Sequence, residues 1–260
     1  MPYSLSLTFK PTRTLTESAG VPHRAGNALL YRWLEAAEPE LARFVHDQTD
    51  PKPFTLSPIT VDDDERYRLR VTLLDDQYWP YVEQGMQRER TLRVEDKILA
   101  LEGEPQVTHQ TYVALAQSVA TRRDIILRFD SPTSFKSREM AYPLPDPVLV
   151  FTSHCARWNA FVPEALRIGE MWSEWVAQHV AVSRFELNSQ VFRFGDHQQI
   201  GSVGRVQYVV VGNGPEVEEG RGPLNALADY AFFCGTGHKT TQGMGQTRRL
   251  DRWETDSDER

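Results

Sequence analysis

The segment Gly235-Thr236-Gly237-His238-Lys239-Thr240-Thr241-Gln242-Gly243-Met244-Gly245 constrains this chain more than any other, because it gathers four of the 16 glycines into one loop. Glycine is required where the backbone takes φ > 0 or where another group must come close. Set beside Lys and Thr, such a loop reads as one that offers backbone N–H groups to an anion, most simply a phosphate. Its surroundings decide what kind. A P-loop has Lys directly after its second Gly, but His238 separates Gly237 from Lys239, and Gly243 is followed by Met244. A dinucleotide fingerprint requires G-x-G-x-x-G, but position 240 is Thr. Both of those loops run from a strand into a helix. Here Leu224 to Phe233 reads as a helix and Gln246 to Leu250 as a strand, so the order is reversed. A free mononucleotide or dinucleotide site does not follow from this arrangement.

The net charge of −7 argues at first against nucleic acid, but its distribution argues less. Acid is concentrated in Asp62-Asp63-Asp64-Glu65, in Glu216 to Glu219 and in the tail from Glu254 to Glu259, which read as solvated loops and a frayed end. From Ala231 to Leu250 the charged residues are Lys239, Arg248 and Arg249 alone. Local charge sets the field over a binding surface. There is no apolar run of membrane-spanning length, and the first ten residues alternate like a strand instead of forming a signal peptide. Cys155 and Cys234 sit in no metal or redox spacing. Together these features lead us to expect a cytoplasmic protein with reduced thiols, no membrane contact, no metal and no cofactor.

Along the chain, residues 3–9 alternate as a strand, and Val21 to Arg24 reads as a loop. From Gly26 a helix follows, with Leu30, Trp33, Leu34 and Ala37 at helical spacing. Pro39 opens a second helix whose apolar stripe is expected at Leu41, Phe44 and Val45, and Pro51 and Pro53 end it. Strands are expected over 54–61 and 67–74, a helix over 77–87, and strands over 91–101 and 106–114. The second half reads as a strand over 124–129, a loop over 131–136, a helix over 147–160, strands over 182–194 and 202–211, a helix over 224–233 and a last strand over 245–250. The fold class is α+β: two tandem ferredoxin-like β-α-β-β-α-β domains, residues 1–118 and 119–260.

Three groups of residues now resemble a known family, the CRISPR-associated repeat-cleaving endoribonucleases, the sixth Cas family within the RAMP superfamily. One is the glycine-rich loop between a helix and the final strand. The second is Gly26-Asn27-Ala28-Leu29-Leu30-Tyr31 with Pro39 to Asp47 and Pro51-Lys52-Pro53-Phe54. The third is Ser131-Pro132 to Phe135-Lys136, followed by a proline-rich entry to a helix ending Arg157-Trp158-Asn159. The resemblance spans nearly the whole chain. It implies the same fold and a metal-independent cut in CRISPR repeat RNA. The RNA's own 2′-OH attacks the adjacent phosphate, giving 2′,3′-cyclic phosphate and 5′-OH ends. It also implies CRISPR repeat RNA as partner, with a CRISPR effector complex as the further candidate. Monomer and homodimer both stay open. The alternative within the superfamily is a subunit that binds RNA without cutting it.

Such a reaction needs a base, an acid and a cation. The resemblance gives His46 the proton transfers, which suits an imidazole. By pattern alone His46 is a histidine off the apolar stripe at a helix C-terminus, where its charge would suit the helix dipole. Tyr31 matches the family's tyrosine, as a group that orients the 2′-OH or assists as base. Lys52 matches a lysine that stabilises the phosphate. His23 is the rival histidine. Expected RNA contacts are Gly235, Gly237, His238, Lys239, Thr240, Gly243 and Gly245 in the loop, with Arg248, Arg249 and Lys136. Alternation puts Arg248 and Arg249 on opposite faces. Arg122, Arg123 and Arg138 are further candidates.

Overall fold

A computed structural model describes residues 1–14, 22–49, 51–117, 122–137, 140–195 and 197–253. By its contacts the chain divides into two units. The first holds Met1–Thr111 with Arg193–Gln199 and Lys239–Met244, and the second holds Tyr112–Phe192, Ile200–His238 and Gly245–Arg260. The expected junction near 118 falls among residues 118–121, outside those described.

The first unit is built around β1 (Tyr3–Thr14), followed by α1 (Pro22–Ala37), α2 (Pro39–Asp47), β2 (Phe54–Leu56), β3 (Thr60–Val61) and β4 (Tyr67–Leu73). Then come α3 (Trp79–Arg88), β5 (Thr91–Val94), β6 (Lys97–Leu101) and β7 (Gln106–His109). The sheet order is β2-β4-β1-β6-β5, with β3 also on β4 and β7 also on β1. Read by rank, this is second-third-first-fourth, the order of a ferredoxin-like unit, with a hairpin strand added outside. Leu5, Leu7 and Phe9 of β1 are buried in a core shared with Leu29, Leu30, Trp33 and Leu34 of α1. Gly85 of α3 has no side chain because a Cβ there would lie 2.2 Å from the Trp33 carbonyl oxygen.

The second unit contains α4 (Tyr112–Ala116), β8 (Asp124–Thr133), β9 (Phe135–Ser137), β10 (Met140–Tyr142), α5 (Pro147–Phe161) and α6 (Trp172–His179). After these come β11 (Val180–Phe194), β12 (His197–Val210), α7 (Pro215–Cys234) and β13 (Thr247–Leu250). Its sheet order, β11-β12-β8-β13, is again second-third-first-fourth. The tandem ferredoxin-like architecture is therefore present in full.

Several local expectations need correction. The strand expected over 54–61 is broken by Pro58, and Ser57 pairs with Arg70 through both its backbone N–H and its hydroxyl. The strand expected over 106–114 stops at His109, because Tyr112 and Leu115 bury themselves as a short helix. The loop expected at 131–136 is mostly strand. The acidic run Glu216 to Glu219 is not a loop. It forms the first turns of α7 behind Pro215, where acid suits the helix dipole. Helix α6 was not among the expected elements, although Trp172, Trp175 and Val176 stand at helical spacing.

Candidate active site

Helix α1 places Tyr31 on the flank of its buried stripe, partly covered. Helix α2 is only nine residues long. It buries Ala42 and Val45, while Phe44, expected in the stripe, is 62% exposed. His46 lies in the last turn, with 71% of its side chain exposed. The chain then turns through Pro51-Lys52-Pro53 into β2.

These elements bring the three expected residues together. The Tyr31 and His46 rings meet edge-on with centroids 5.5 Å apart, and Tyr31 also meets Phe54 at 5.8 Å. The Lys52 ammonium donates to the Val45 and His46 carbonyl oxygens at 2.9 and 2.7 Å. His46 Nδ1 lies 3.0 Å from Asp47 Oδ1, so with Nδ1 protonated its Nε2 is the nitrogen offered outward. Burial, and secondarily the Asp47 charge, raises the Tyr31 phenol above its usual range, so near neutral pH it is a proton donor and not a base. Asp47 is the residue that sequence reasoning passed over. Its only signal there was adjacency to His46. His23 lies in the first turn of α1 and not in a loop.

The glycine loop is built differently. Gly235, Gly237, Gly243 and Gly245 all have positive φ and are buried. At Gly237, φ is +75° and a Cβ would lie 2.2 Å from the Ser134 carbonyl oxygen. The loop's N–H groups are largely consumed within the fold. Gly235 donates to Ala231, Thr236 to Gly245, His238 to Ser134, Met244 to Lys239 and Gly245 to Pro132, all to carbonyl oxygens. Gly237 N–H reaches the Ser153 hydroxyl, and Arg157 donates to the Gly237 carbonyl. The Thr236 hydroxyl is 2.7 Å from His154 Nε2 and 2.8 Å from the Thr247 hydroxyl. His154 is fully buried, and burial, followed by the Arg157 charge, lowers it to about 3. Among the described residues, the N–H groups of Lys239, Thr240 and Thr241 have no protein partner. Lys239 takes a left-handed φ of 57°, with its ammonium 4.0 Å above the Phe194 ring. Asn27 of α1 donates to the Thr241 carbonyl at 3.2 Å.

The expected cations fare unequally. Arg249 faces α7, where it bonds Asp229 at 3.0 Å and Asn225. Arg248 lies on the other face, opposite Arg128, which in turn stands opposite Arg205. This row of three arginines could not be read before the strand pairing was known. Asp130 pairs with both Arg128 and Arg248, and Glu186 with Arg205 at 2.8 Å. Arg122 pairs with Asp251 and Arg123 with Glu218. Lys136 is exposed on β9, and Arg138 lies outside the described residues. Among the described residues no three His, Cys, Asp or Glu side chains form a metal-holding group, and no helix is long and apolar enough to cross a membrane.

Two family models match the chain. One is described as the CRISPR Cas6 N-terminal domain and covers residues 1–93, taking in α1, α2 and Lys52. The other is described as CRISPR-associated endoribonuclease Cas6 and covers residues 127–247, taking in the glycine loop. The chain belongs to the Cas6 family. It is 23% identical over 124 residues to the Streptococcus thermophilus CRISPR-associated endoribonuclease Cas6, a match covering 48% of this chain and 49% of that protein. It is 31% identical over 130 residues to the Cas6 of Mycobacterium tuberculosis strain H37Rv, covering 48% of this chain and 38% of the relative. These matches thus span half or less of the curated relatives' length. Among solved structures, a Thermus thermophilus Cas6 product complex superposes with TM-score 0.82 at 25% identity, covering 96% of this chain and 100% of that one. Another Cas6 product complex superposes with TM-score 0.75 at 29% identity, covering 96% and 100%.

Proposed function

We propose that this Cas6 family member is an endoribonuclease that cuts CRISPR repeat RNA in precursor transcripts, without a metal, by attack of the RNA's own 2′-OH. The single observation that carries the reading is the constellation at the end of α2. An exposed imidazole is backed by Asp47 on one nitrogen and by the Tyr31 ring in an edge-on contact, with its other nitrogen offered outward. Transferring a proton from the 2′-OH, or to the leaving 5′-oxygen, is work for such a group. The phenol of Tyr31 stays protonated and can donate a hydrogen bond to the reacting sugar or phosphate. A missing 2′-OH would make DNA inert to this chemistry. Two related Cas6 structures are product complexes, and one of those proteins was also solved as a histidine-to-alanine mutant. RNA would be held through its backbone by Lys239, by the N–H groups of residues 239–241, and by Arg248.

The test is incubation with repeat RNA in EDTA. Cleavage is expected to persist, to leave 2′,3′-cyclic phosphate ends, and to stop when the nucleotide at the cut carries 2′-H. His46→Ala should slow it by about a hundredfold to ten-thousandfold with binding retained. RNA that is bound yet left intact by the unaltered protein would replace this reading with that of a non-cutting RNA-binding subunit.

A further inference from the structure

We infer that Lys52 is a positioning residue: its ammonium holds the last turn of α2, and through it the imidazole of His46, instead of contacting the phosphate at the cut. The inference rests on the reading of His46 as the acid–base group. It departs from the role that the family resemblance assigns to this lysine.

The last carbonyls of a helix lack intrahelical partners and carry the negative end of its dipole. In α2, the Phe44 carbonyl accepts from the Gln48 N–H at 3.0 Å. The next two, Val45 and His46, accept from Lys52. A lysine ammonium has three donors, and two of them are accounted for here. A helix this short is marginal by itself, and His46 stands in the turn that would fray first. The ammonium's position is itself fixed. Pro51 and Pro53 restrict the backbone on either side of Lys52. The Pro53 carbonyl accepts from the Leu74 N–H at 2.7 Å, and Phe54 pairs with Leu73 in the sheet. The same short segment therefore grips His46 from two sides, through Lys52 on its backbone and through Phe54 behind the Tyr31 ring. A lysine committed to phosphate would need to release this turn as substrate arrived.

The two roles differ in what they do before RNA is present. In Lys52→Met the stem is kept and the donors are lost. We expect the ring-proton NMR signals of His46 to move and broaden in the RNA-free protein. Affinity for a repeat RNA carrying 2′-H at the cut should keep the unaltered protein's slope of log Kd against log salt. Single-turnover cleavage should fall by about a hundredfold. Lys52→Arg should restore much of the ring signal, and Lys52→Gln, a milder change, is read in the same way as Lys52→Met. Unchanged His46 signals in the RNA-free variants would overturn the inference. So would a salt slope shallower by about one unit, the signature of a lost phosphate contact. If the unaltered protein does not cut RNA at all, the functional reading falls, and the ring signals still decide the structural claim.

Discussion

At the last turn of α2 the polar side chains face out; in the glycine loop the polar groups face in. His46 offers one ring nitrogen to solvent, whereas His154, bonded to the loop's Thr236, is fully buried and held neutral. The loop's donors are mostly spent on Ser134, Pro132, Ala231 and the Ser153 hydroxyl. The contrast teaches that the most conspicuous stretch of a sequence can be conspicuous for the sake of its own turn. The glycines there satisfy backbone geometry first, and a narrow window at residues 239–241 remains for a ligand.

The contrast can be strained hardest at Gly237. Ala there would face both a positive φ and the Ser134 carbonyl. Gly237→Ala should lower unfolding stability by about 3 kcal/mol or more, measured by denaturant titration. A variant with unaltered stability would mean the loop is looser than its bonds indicate.

The two histidines sharpen the comparison through pH. The unfolded chain takes up a proton at His154 as pH falls through 6.5, and the folded chain does so only near 3. Stability contributed by this site is therefore present at neutral pH and lost as pH drops across that window. The slope is about 1.4 kcal/mol per pH unit at most. His154→Gln should flatten that acid limb in thermal melts, even if the variant starts from a lower plateau at pH 7. An unchanged limb would assign acid lability to other groups.

The smallest effect is expected at Lys239, inside the open window of the loop. Asn tolerates its left-handed backbone, so Lys239→Asn should leave the melting temperature nearly unchanged. Its RNA affinity should show a salt slope shallower by about one unit. If Lys239→Asn instead behaved like Gly237→Ala, the distinction between the window and the rest of the loop would collapse.

The order of most elements was legible in the sequence, because helical spacing, prolines and the loop are local signals, whereas the grouping of Tyr31, His46 and Lys52 came from the family resemblance. What was not legible depended on pairing. The row of Arg205, Arg128 and Arg248 exists only once β12, β8 and β13 lie side by side. Arg249 looked like a cation for RNA until α7 placed Asp229 beside it. Phe44 had the spacing of a core residue, yet the nine-residue helix turns its Ala42 and Val45 line inward instead. The acidic run at 216–219 resembled a solvated loop because a helix N-terminus and a loop favour the same residues.

The grouping of Lys239–Met244 with the first unit bears on how the chain is made. The Thr241 carbonyl receives Asn27 from α1, so the amino-terminal half has a partner translated 214 positions later. Synthesis runs from the amino end, and domains ordinarily fold as they emerge. Here Asn27 meets its partner only once residue 241 has been made. A nascent chain arrested before residue 239 should therefore carry a first unit that lacks Lys239–Met244.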